Sequence, residues 1–253
     1  MKIATIQLNI IWEDKKENLK RAKSFIKQAK EDNCDLIIFP EMFNTGFSMN
    51  SKTIAEPSNG DTISSLSSLA SEYQIQIIAG LALIDGADIS NVAVFIDKEG
   101  TLQSQYIKNY PFSFAGEDKH YRSSDRQVIF DLEGLQATTF ICYDLRFPEL
   151  FRSVAKRVDM IFVIANWPEP RQAHWITLLK ARAIENQCFI IGVNRIGKDQ
   201  NNLNYIGGSM VIDPWGEEIS IGSLDQEYIV TKIDAEKTKT IREKFPFLND
   251  IKN

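Results

Sequence analysis

Short apolar runs alternate with segments of helical periodicity along the whole chain. The runs at 35–39 (DLIIF) and 160–165 are continuously apolar, which is typical of strands buried on both faces of a sheet. Between such runs, apolar residues recur at helical spacing, as at Leu19, Ala22 and Ile26. The pattern predicts strands at 2–8, 35–39, 75–83, 91–96, 102–107, 127–132, 137–141, 160–165, 188–193, 208–212 and 228–233, and helices at 14–31, 63–73, 148–156, 174–186 and 235–245.

Turn residues between these segments indicate how the strands are connected. The segments 97–100 (DKEG) and 133–134 (EG) predict hairpins, and 213–216 (DPWG) predicts a turn between the last two strands. Strand–helix–strand segments predict crossover connections as well. Both kinds of connection together favour mixed sheets with helices outside. Because we find no linker, repeat or low-complexity tract, residues 1–253 are predicted to form a single α/β domain.

Composition and charge narrow the class of protein. The 253 residues are 43% hydrophobic and 25% charged, with a net charge of −5, which argues against nucleic acid or an anionic membrane surface as the main partner. The first residues lack the pattern of a signal peptide, and no apolar stretch is long enough to span a membrane. Three cysteines outside any CxxC pair favour a reducing cytoplasm, and two histidines argue against a multi-histidine metal site.

Cys142 is the candidate nucleophile. It follows the apolar strand ATTFI and precedes a predicted helix, so we expect it at an exposed strand-to-helix turn. There the helix N-terminus and nearby cations would lower the pKa of the thiol, and the Tyr143 N–H would bind a developing oxyanion. The alternative is a buried structural cysteine, which is a common state of free cysteines. Cys34 and Cys188 lie at a helix-to-strand junction and inside a strand, where we expect inert side chains.

A cysteine nucleophile needs a base and a group that stabilises the oxyanion. His120 and His174 are the two histidines, so Cys–His chemistry is one alternative. The other base is Glu41, which follows the buried strand DLIIFP and is expected at its carboxyl end, where burial would raise its pKa. Lys108, just past the strand LQSQYI, is the candidate cation. Taken singly, Glu41 and Lys108 are also explained as solvated loop charges.

The segments IIFPEMFNTGF, YIKNYPF and ICYDLRFPE resemble the three motif regions of the nitrilase superfamily of carbon–nitrogen hydrolases, in order and in spacing. The resemblance covers essentially the whole chain. It implies a four-layer αββα sandwich of two mixed sheets flanked by helices, a homodimer paired through helices, and a triad of Glu41, Lys108 and Cys142. Glu117, in FAGEDKHY, matches the second glutamate that the family places near the lysine. Tyr110 stands where the family has His in K-x-H, a departure that is expected to change only the pocket rim.

The stretch ANWPEPRQAHW, together with CYDLRFPE and REKFPF, is most similar to the bacterial omega-amidases of that superfamily. This similarity implies cofactor-free hydrolysis of 2-oxoglutaramate or 2-oxosuccinamate, small 2-oxo acid amides, through a Cys142 thioester. Arg146 is the candidate anchor for the substrate carboxylate, and its alternative role is an ion pair with Glu149 that braces the turn. Arg171 is a weaker candidate anchor. Trp167 either forms a wall of the pocket or simply packs beside Pro168.

Two other functions stay open beside omega-amidase. One is a different amidase of the same superfamily, such as a deaminated-glutathione amidase, an N-carbamoyl amide hydrolase or a nitrilase, because these enzymes share the triad. The other is a non-catalytic binding member of the fold, against which the presence of Glu41, Lys108 and Cys142 argues. Asn166, beside Trp167, is interpreted as structural.

Overall fold

The computed structural model describes residues 1–252, which contain fourteen strands and six α-helices. The strands are β1 (Lys2–Ile6), β2 (Leu36–Ile38), β3 (Gln76–Asp85), β4 (Asp88–Ile96), β5 (Leu102–Ile107), β6 (Ile129–Leu132), β7 (Leu135–Ile141), β8 (Met160–Ala165), β9 (Phe189–Asn194), β10 (Ile196–Lys198), β11 (Asn204–Ile206), β12 (Met210–Ile212), β13 (Glu218–Ile221) and β14 (Tyr228–Lys232). The helices are α1 (Lys15–Glu31), α2 (Ser51–Ile54), α3 (Asp61–Tyr73), α4 (Pro148–Val154), α5 (Gln172–Asn186) and α6 (Lys237–Lys244).

Two six-stranded sheets hold most of the strands. The first sheet has the order β14-β1-β2-β3-β4-β5, and the second has the order β13-β12-β9-β8-β7-β6. Each sheet has three parallel strands at its centre, β1, β2 and β3 in the first and β7, β8 and β9 in the second, with antiparallel strands beside them. The prediction of mixed sheets is therefore confirmed. The carboxyl ends of each parallel set lie at one edge of the sheet, termed the carboxyl edge.

The two sheets pack face to face, and helices cover their outer faces. Inner-face residues of both sheets belong to one core cluster, which includes Ile38 and Ile78 of the first sheet and Ile141 and Phe162 of the second. On the outside of the first sheet, α1 and α3 bury the residues Ala22, Ile26, Leu66 and Leu69. On the outside of the second sheet, α5 buries Trp175, Leu179 and Ala183. The layers are thus helix, sheet, sheet and helix, as expected from the family resemblance.

Helix α1 illustrates how the sequence dictates these elements. The Asp14 carboxylate accepts a hydrogen bond from the Glu17 N–H and caps the helix, which satisfies one of the free N–H groups of the first turn. Its buried residues Asn18, Ala22 and Ile26 recur every fourth position, so that they form one stripe against the sheet.

The chain after β12 differs from the prediction. The turn at 213–216 leads into β13, which pairs with β12, whereas β14 crosses to the first sheet and pairs with β1. The prediction missed β13 because its side chains are mostly exposed and give no apolar run. It also missed the β10–β11 hairpin and the single-turn helix α2, which are too short for a periodic signal. Among residues 1–252, no helix is both long and apolar enough to cross a membrane.

Candidate active site

Glu41, Lys108 and Cys142 meet between the two sheets at their carboxyl edge. Lys108 directly follows β5 of the first sheet, and Glu41 lies three residues after β2 of the same sheet. Cys142 directly follows β7 of the second sheet. The two charged side chains are almost fully buried, 1% exposed for Lys108 and 0% for Glu41. Neither is the solvated loop charge that was the alternative interpretation.

Close packing of the main chain sets the position of Glu41. The Gly80 N–H donates to the Pro40 carbonyl, and the Phe43 N–H donates to the Gly80 carbonyl. Between these two hydrogen bonds, a Cβ atom placed on Gly80 would lie 2.5 Å from Cα of Glu41 and 2.7 Å from N of Met42. Only glycine allows this approach, so Gly80 in the middle of β3 holds the turn that carries Glu41.

The Lys108 ammonium is shared by two carboxylates. Its Nζ lies 2.9 Å from Oε1 of Glu41, and 2.9 and 3.1 Å from Oε2 and Oε1 of Glu117. The Asn91 amide links the same two acids, since its Nδ2 donates to Glu41 at 2.7 Å and to Glu117 at 2.9 Å. Glu117 is itself 0% exposed and also accepts a hydrogen bond from the Phe112 N–H. The predicted proximity of Glu117 to Lys108 therefore matches the geometry.

Cys142 occupies a strained turn beside the base. Its backbone φ is +47°, which is unusual for a side chain of this kind and typical of nucleophile turns. The thiol Sγ lies 3.8 Å from the Asn166 carbonyl, and the Asn166 N–H donates to Oε2 of Glu41 at 2.9 Å. Asn166, which follows β8, therefore contacts both the candidate base and the candidate nucleophile. The half-buried Cys142 opens onto a pocket and is not the buried structural cysteine of the alternative interpretation.

The pKa shifts of Glu41 and Cys142 both differ from those expected from the sequence. Burial opposes ionisation of Glu41, but the Lys108 charge and hydrogen bonds from Lys108, Asn91 and the Asn166 backbone hold its pKa below the ordinary value. Burial and then the Glu41 charge raise the pKa of Cys142 well above its ordinary value, and the Lys108 charge offsets only part of this. The expected shifts, upward for Glu41 and downward for Cys142, are both wrong in direction. The site holds a carboxylate, an ammonium and a neutral thiol.

The charge on Lys108 is secured by the same contacts. Burial works against a cation, but the charges of Glu117 and Glu41 outweigh it and raise the pKa of Lys108 above its ordinary value. Lys108 therefore carries an ammonium charge at neutral pH. A permanent cation next to a thiol can stabilise an oxyanion as it forms on a bound carbonyl group.

Tyr143 follows the nucleophile at the start of a short 3₁₀ turn, Cys142–Arg146. Donors in the first turn of a helix have no acceptor within that helix, so the Tyr143 N–H is available to a ligand. Its ring packs against Phe112 and Phe147, with centroids at 5.0 and 5.2 Å, and forms part of the pocket wall.

The pocket over Cys142 has a volume of about 480 Å³. Its lining combines the candidate base, the candidate nucleophile and Asn166 with apolar and aromatic side chains, two arginines and one aspartate, and includes Phe47, Met49, Phe112, Phe114, Arg146, Trp167, Arg171, Asp199 and Leu203. A small number of polar groups in a largely apolar cavity is typical of small-molecule sites. Within residues 1–252, no three side chains of His, Cys, Asp or Glu are grouped so that they could hold a metal ion.

Arg146 lies on the pocket wall, stacked on Trp167. Its guanidinium carbon is 4.9 Å from the centroid of the Trp167 ring, and Nη2 is 3.2 Å from Nδ1 of His174. Along residues 1–252, neither Glu149 nor any other carboxylate forms an ion pair with it. The alternative of a brace to Glu149 is therefore not what the geometry shows. Trp167 lines the pocket, and its ring also packs on Trp175, with centroids 5.6 Å apart.

The other candidate residues lie away from the thiol. His120 is exposed on the loop after β5, and His174 contacts Arg146, so neither is placed to act as a base for Cys142. Cys34 and Cys188 are buried and do not line the pocket. Arg171 lines the pocket with its guanidinium over the Phe112 ring, 5.3 Å from the centroid.

Sequence reasoning missed Asn91 and gave Asn166 only a structural role. The signal for Asn91 was a polar residue at the head of the otherwise apolar run NVAVFI, which is unexpected inside a buried strand. Both amides hydrogen-bond to Glu41, so they fix the orientation of its carboxylate.

Comparison with known proteins agrees with this fold and site. The chain belongs to the carbon–nitrogen hydrolase family, which matches residues 2–243. In the XC1258 protein of Xanthomonas campestris, a member of this superfamily solved with an arsenic adduct in the active site, the same fold recurs with a TM-score of 0.95. The two proteins are 31% identical, over 100% of this chain and 97% of that one.

Relatives of known activity point to amides as substrates. The chain is 33% identical to a 2-oxoglutaramate amidase of Bacillus subtilis, over 99% of this chain and 97% of that protein. It is 35% identical to the omega-amidase YafV of Escherichia coli, over 99% of this chain and 96% of that protein. Together with the family, these relatives identify the chain as a hydrolase that acts on amides.

Proposed function

We propose that the chain is an omega-amidase, which hydrolyses the terminal amide of 2-oxoglutaramate or 2-oxosuccinamate to the 2-oxo dicarboxylic acid and ammonia. The observation that carries this proposal is Arg146. Its guanidinium lines the pocket that contains Cys142 and has no carboxylate partner among residues 1–252, as a substrate with a carboxylate requires. The amidase relatives support the same substrates, and Trp167 holds the guanidinium in place by stacking.

The proposed reaction begins with proton transfer. Glu41 takes the proton of the Cys142 thiol as the sulfur attacks the amide carbon, because a thiol with a raised pKa is not ionised beforehand. The carbonyl oxygen becomes an oxyanion, which the Lys108 ammonium and the Tyr143 N–H stabilise. Glu41 returns the proton to the amide nitrogen, the carbon–nitrogen bond breaks, and ammonia leaves.

The thioester that remains is hydrolysed by the same groups in reverse order. Glu41 takes a proton from water as the oxygen attacks the thioester carbon, and the carbon–sulfur bond breaks. The sulfur recovers the proton, which restores the thiol and releases the acid. Glu117 keeps Lys108 charged and in place through both half-reactions, since its carboxylate holds the ammonium at 2.9 Å.

We also propose that the enzyme works as a homodimer in the cytoplasm. Three free cysteines, one of them the proposed nucleophile, support a reducing compartment. Light scattering of the purified protein would test the dimer, which predicts twice the mass of one chain.

The experiment that tests the proposed function is ammonia release from 2-oxoglutaramate by the wild type and by Cys142→Ala. We expect turnover by the wild type and none by the variant. A wild type that ignores 2-oxoglutaramate but hydrolyses an N-carbamoyl compound, deaminated glutathione or a nitrile would replace omega-amidase with that activity. Turnover that persists in Cys142→Ala would remove this cysteine from the mechanism.

A further inference from the structure

The active site draws its charged groups from one sheet and its thiol from the other, so something must fix the two sheets relative to each other at the carboxyl edge. The contacts of Lys108 with Glu41 and Glu117 fix the ammonium only within the first sheet and its loops. Asn166 joins Glu41 to the second sheet. A second contact between the sheets holds the main chain on both sides of Lys108 close to the Cys142 turn.

Asp144 makes that contact. It lies two residues after Cys142 and is 0% exposed. Its Oδ2 accepts hydrogen bonds from the Ile141 N–H at 2.9 Å and from the Tyr106 hydroxyl at 2.8 Å, and its Oδ1 accepts one from the Tyr110 N–H at 2.9 Å. The carboxylate therefore spans the strained Cys142 turn within its own sheet and also reaches the end of β5.

The two partners in the first sheet lie on either side of Lys108 in the sequence. Tyr106 is the last but one residue of β5 and is 1% exposed, and its hydroxyl also accepts a hydrogen bond from the Asn109 N–H. Tyr110 is two residues after Lys108. Hydrogen bonds on both sides of a residue restrict its backbone. Asp144 therefore restricts the position of the Lys108 Cα atom, from which the side chain extends.

We propose that Asp144 is a positioning residue, which through Tyr106 and Tyr110 fixes the Lys108 end of β5 against the Cys142 turn and so aligns the ammonium with the thiol. Burial without a cationic partner in contact raises the pKa of Asp144 to about 7. A carboxyl group kept in such an unfavourable place is more consistent with a required alignment than with a simple gain in stability.

The test compares Tyr106→Phe with Tyr228→Phe in the full chain. Tyr228 is a matched control, because its hydroxyl donates to Asp32 at the same distance of 2.8 Å but lies outside the pocket. We expect Tyr106→Phe to lower kcat for 2-oxoglutaramate by roughly 10- to 100-fold, with KM within about two-fold, since small misplacements of catalytic groups have effects of this size. Tyr228→Phe should change neither constant. Because Tyr106 and Asp144 are buried whereas Tyr228 and Asp32 are half-buried, we expect the larger fall in melting temperature for Tyr106→Phe, so rates are compared well below both melting temperatures.

A second measurement does not need an amide substrate, because the kcat assay rests on the proposed function. The Cys142 thiol adds to the carbonyl group of propionaldehyde. A carbon–sulfur bond forms, and the thiol proton is transferred to the former carbonyl oxygen, which Lys108 faces. Protection of Cys142 from iodoacetamide reports this adduct. We expect Tyr106→Phe to weaken the protection by roughly 10-fold or more and Tyr228→Phe to leave it unchanged.

Equal kcat and equal protection in the two tyrosine variants would overturn the positioning role. If Tyr106→Phe does not fold, Asp144→Asn against Asp32→Asn replaces the pair, with the same expected contrast. If propionaldehyde protects Cys142 in the wild type but the wild type does not hydrolyse 2-oxoglutaramate, only the proposed substrate is wrong. The protection assay on the tyrosine variants then tests the role of Asp144. A wild type that shows neither effect overturns both proposals.

Discussion

The carboxyl edge of the two sheets and the opposite edge each carry a lysine–glutamate ion pair with an N–O distance of 2.9 Å. At the carboxyl edge, Lys108 and Glu41 are 1% and 0% exposed. At the opposite edge, Lys98 and Glu133 join the β4–β5 turn to the β6–β7 turn and are 45% and 46% exposed. Water screens the exposed pair, whereas the buried charges depend on each other, on Glu117 and on hydrogen bonds from Asn91 and Asn166. The comparison teaches that burial, and not distance, separates a reactive pair from a surface contact.

Removing the cation from each pair should give the largest contrast. Lys108→Met leaves Glu41 and Glu117 buried without a counter-charge, so we expect turnover to fall at least about 10³-fold and the free energy of unfolding to fall by about 3–5 kcal/mol. Lys98→Met should leave turnover unchanged and barely shift the melting temperature. Initial rates and chemical denaturation measure both variants. Lys108→Met with turnover within ten-fold of the wild type would contradict an oxyanion role for the ammonium.

Neutralising the glutamate of each pair should change turnover and the reactivity of the Cys142 thiol at the carboxyl edge, and neither at the opposite edge. Glu41→Gln removes the base, so turnover should fall by roughly 10²- to 10⁴-fold. The same change removes a negative charge that raises the pKa of Cys142. That pKa should therefore fall, which increases the thiolate fraction at pH 8, and alkylation by iodoacetamide should become faster.

Mass spectrometry of the Cys142 peptide over time, between pH 7 and 10, measures this rate. Wild-type alkylation should rise only at a pH above the range in which ordinary thiols ionise, and Glu41→Gln should shift the rise to lower pH. Glu133→Gln is the control, with both turnover and alkylation unchanged. Slower alkylation in Glu41→Gln would mean that Glu41 activates the thiol before the substrate binds, against the pKa directions given above.

The half-buried charge of the pocket, Arg146, should give the smallest effect, confined to one class of substrate. Arg146→Gln removes a bidentate partner for the substrate carboxylate, so KM for 2-oxoglutaramate should rise by roughly 10- to 100-fold with a smaller change in kcat. Butanamide, which lacks the carboxylate, should be hydrolysed at the same rate by both proteins. Arg171→Gln is the matched variant and should change KM less. Equal losses on both substrates would mean that Arg146 supports the pocket and does not recognise the anion.

The sequence predicts the part of the site that depends on local order along the chain. Glu41, Lys108 and Cys142 each follow a predicted strand, and the carboxyl ends of parallel strands lie at one edge of a sheet. The two mixed sheets follow from hairpins and crossovers in the same way. These features need only the identity of neighbouring residues.

The remaining features depend on contacts between distant segments. Asn91 is linked to Glu41 and Glu117 only because β4 lies between β3 and β5, a pairing that no local pattern encodes. The pKa directions of Glu41 and Cys142 depend on the balance of burial against several charges, and a motif gives only the list of partners. The pairing of β14 likewise depends on a distant segment, because its partner is β1 in the first sheet.

Gly80 shows a different kind of constraint. It has no part in proton transfer, and no side chain of its own can reach the substrate, yet a single methyl group there would meet the main chain at Glu41. In a screen of all substitutions, position 80 should therefore be as intolerant as the triad itself, and its losses could not be rescued by a better substrate. Position 80 would be intolerant because a side chain there would displace the main chain that carries Glu41. A map of essential positions would therefore include residues that take no part in the chemistry.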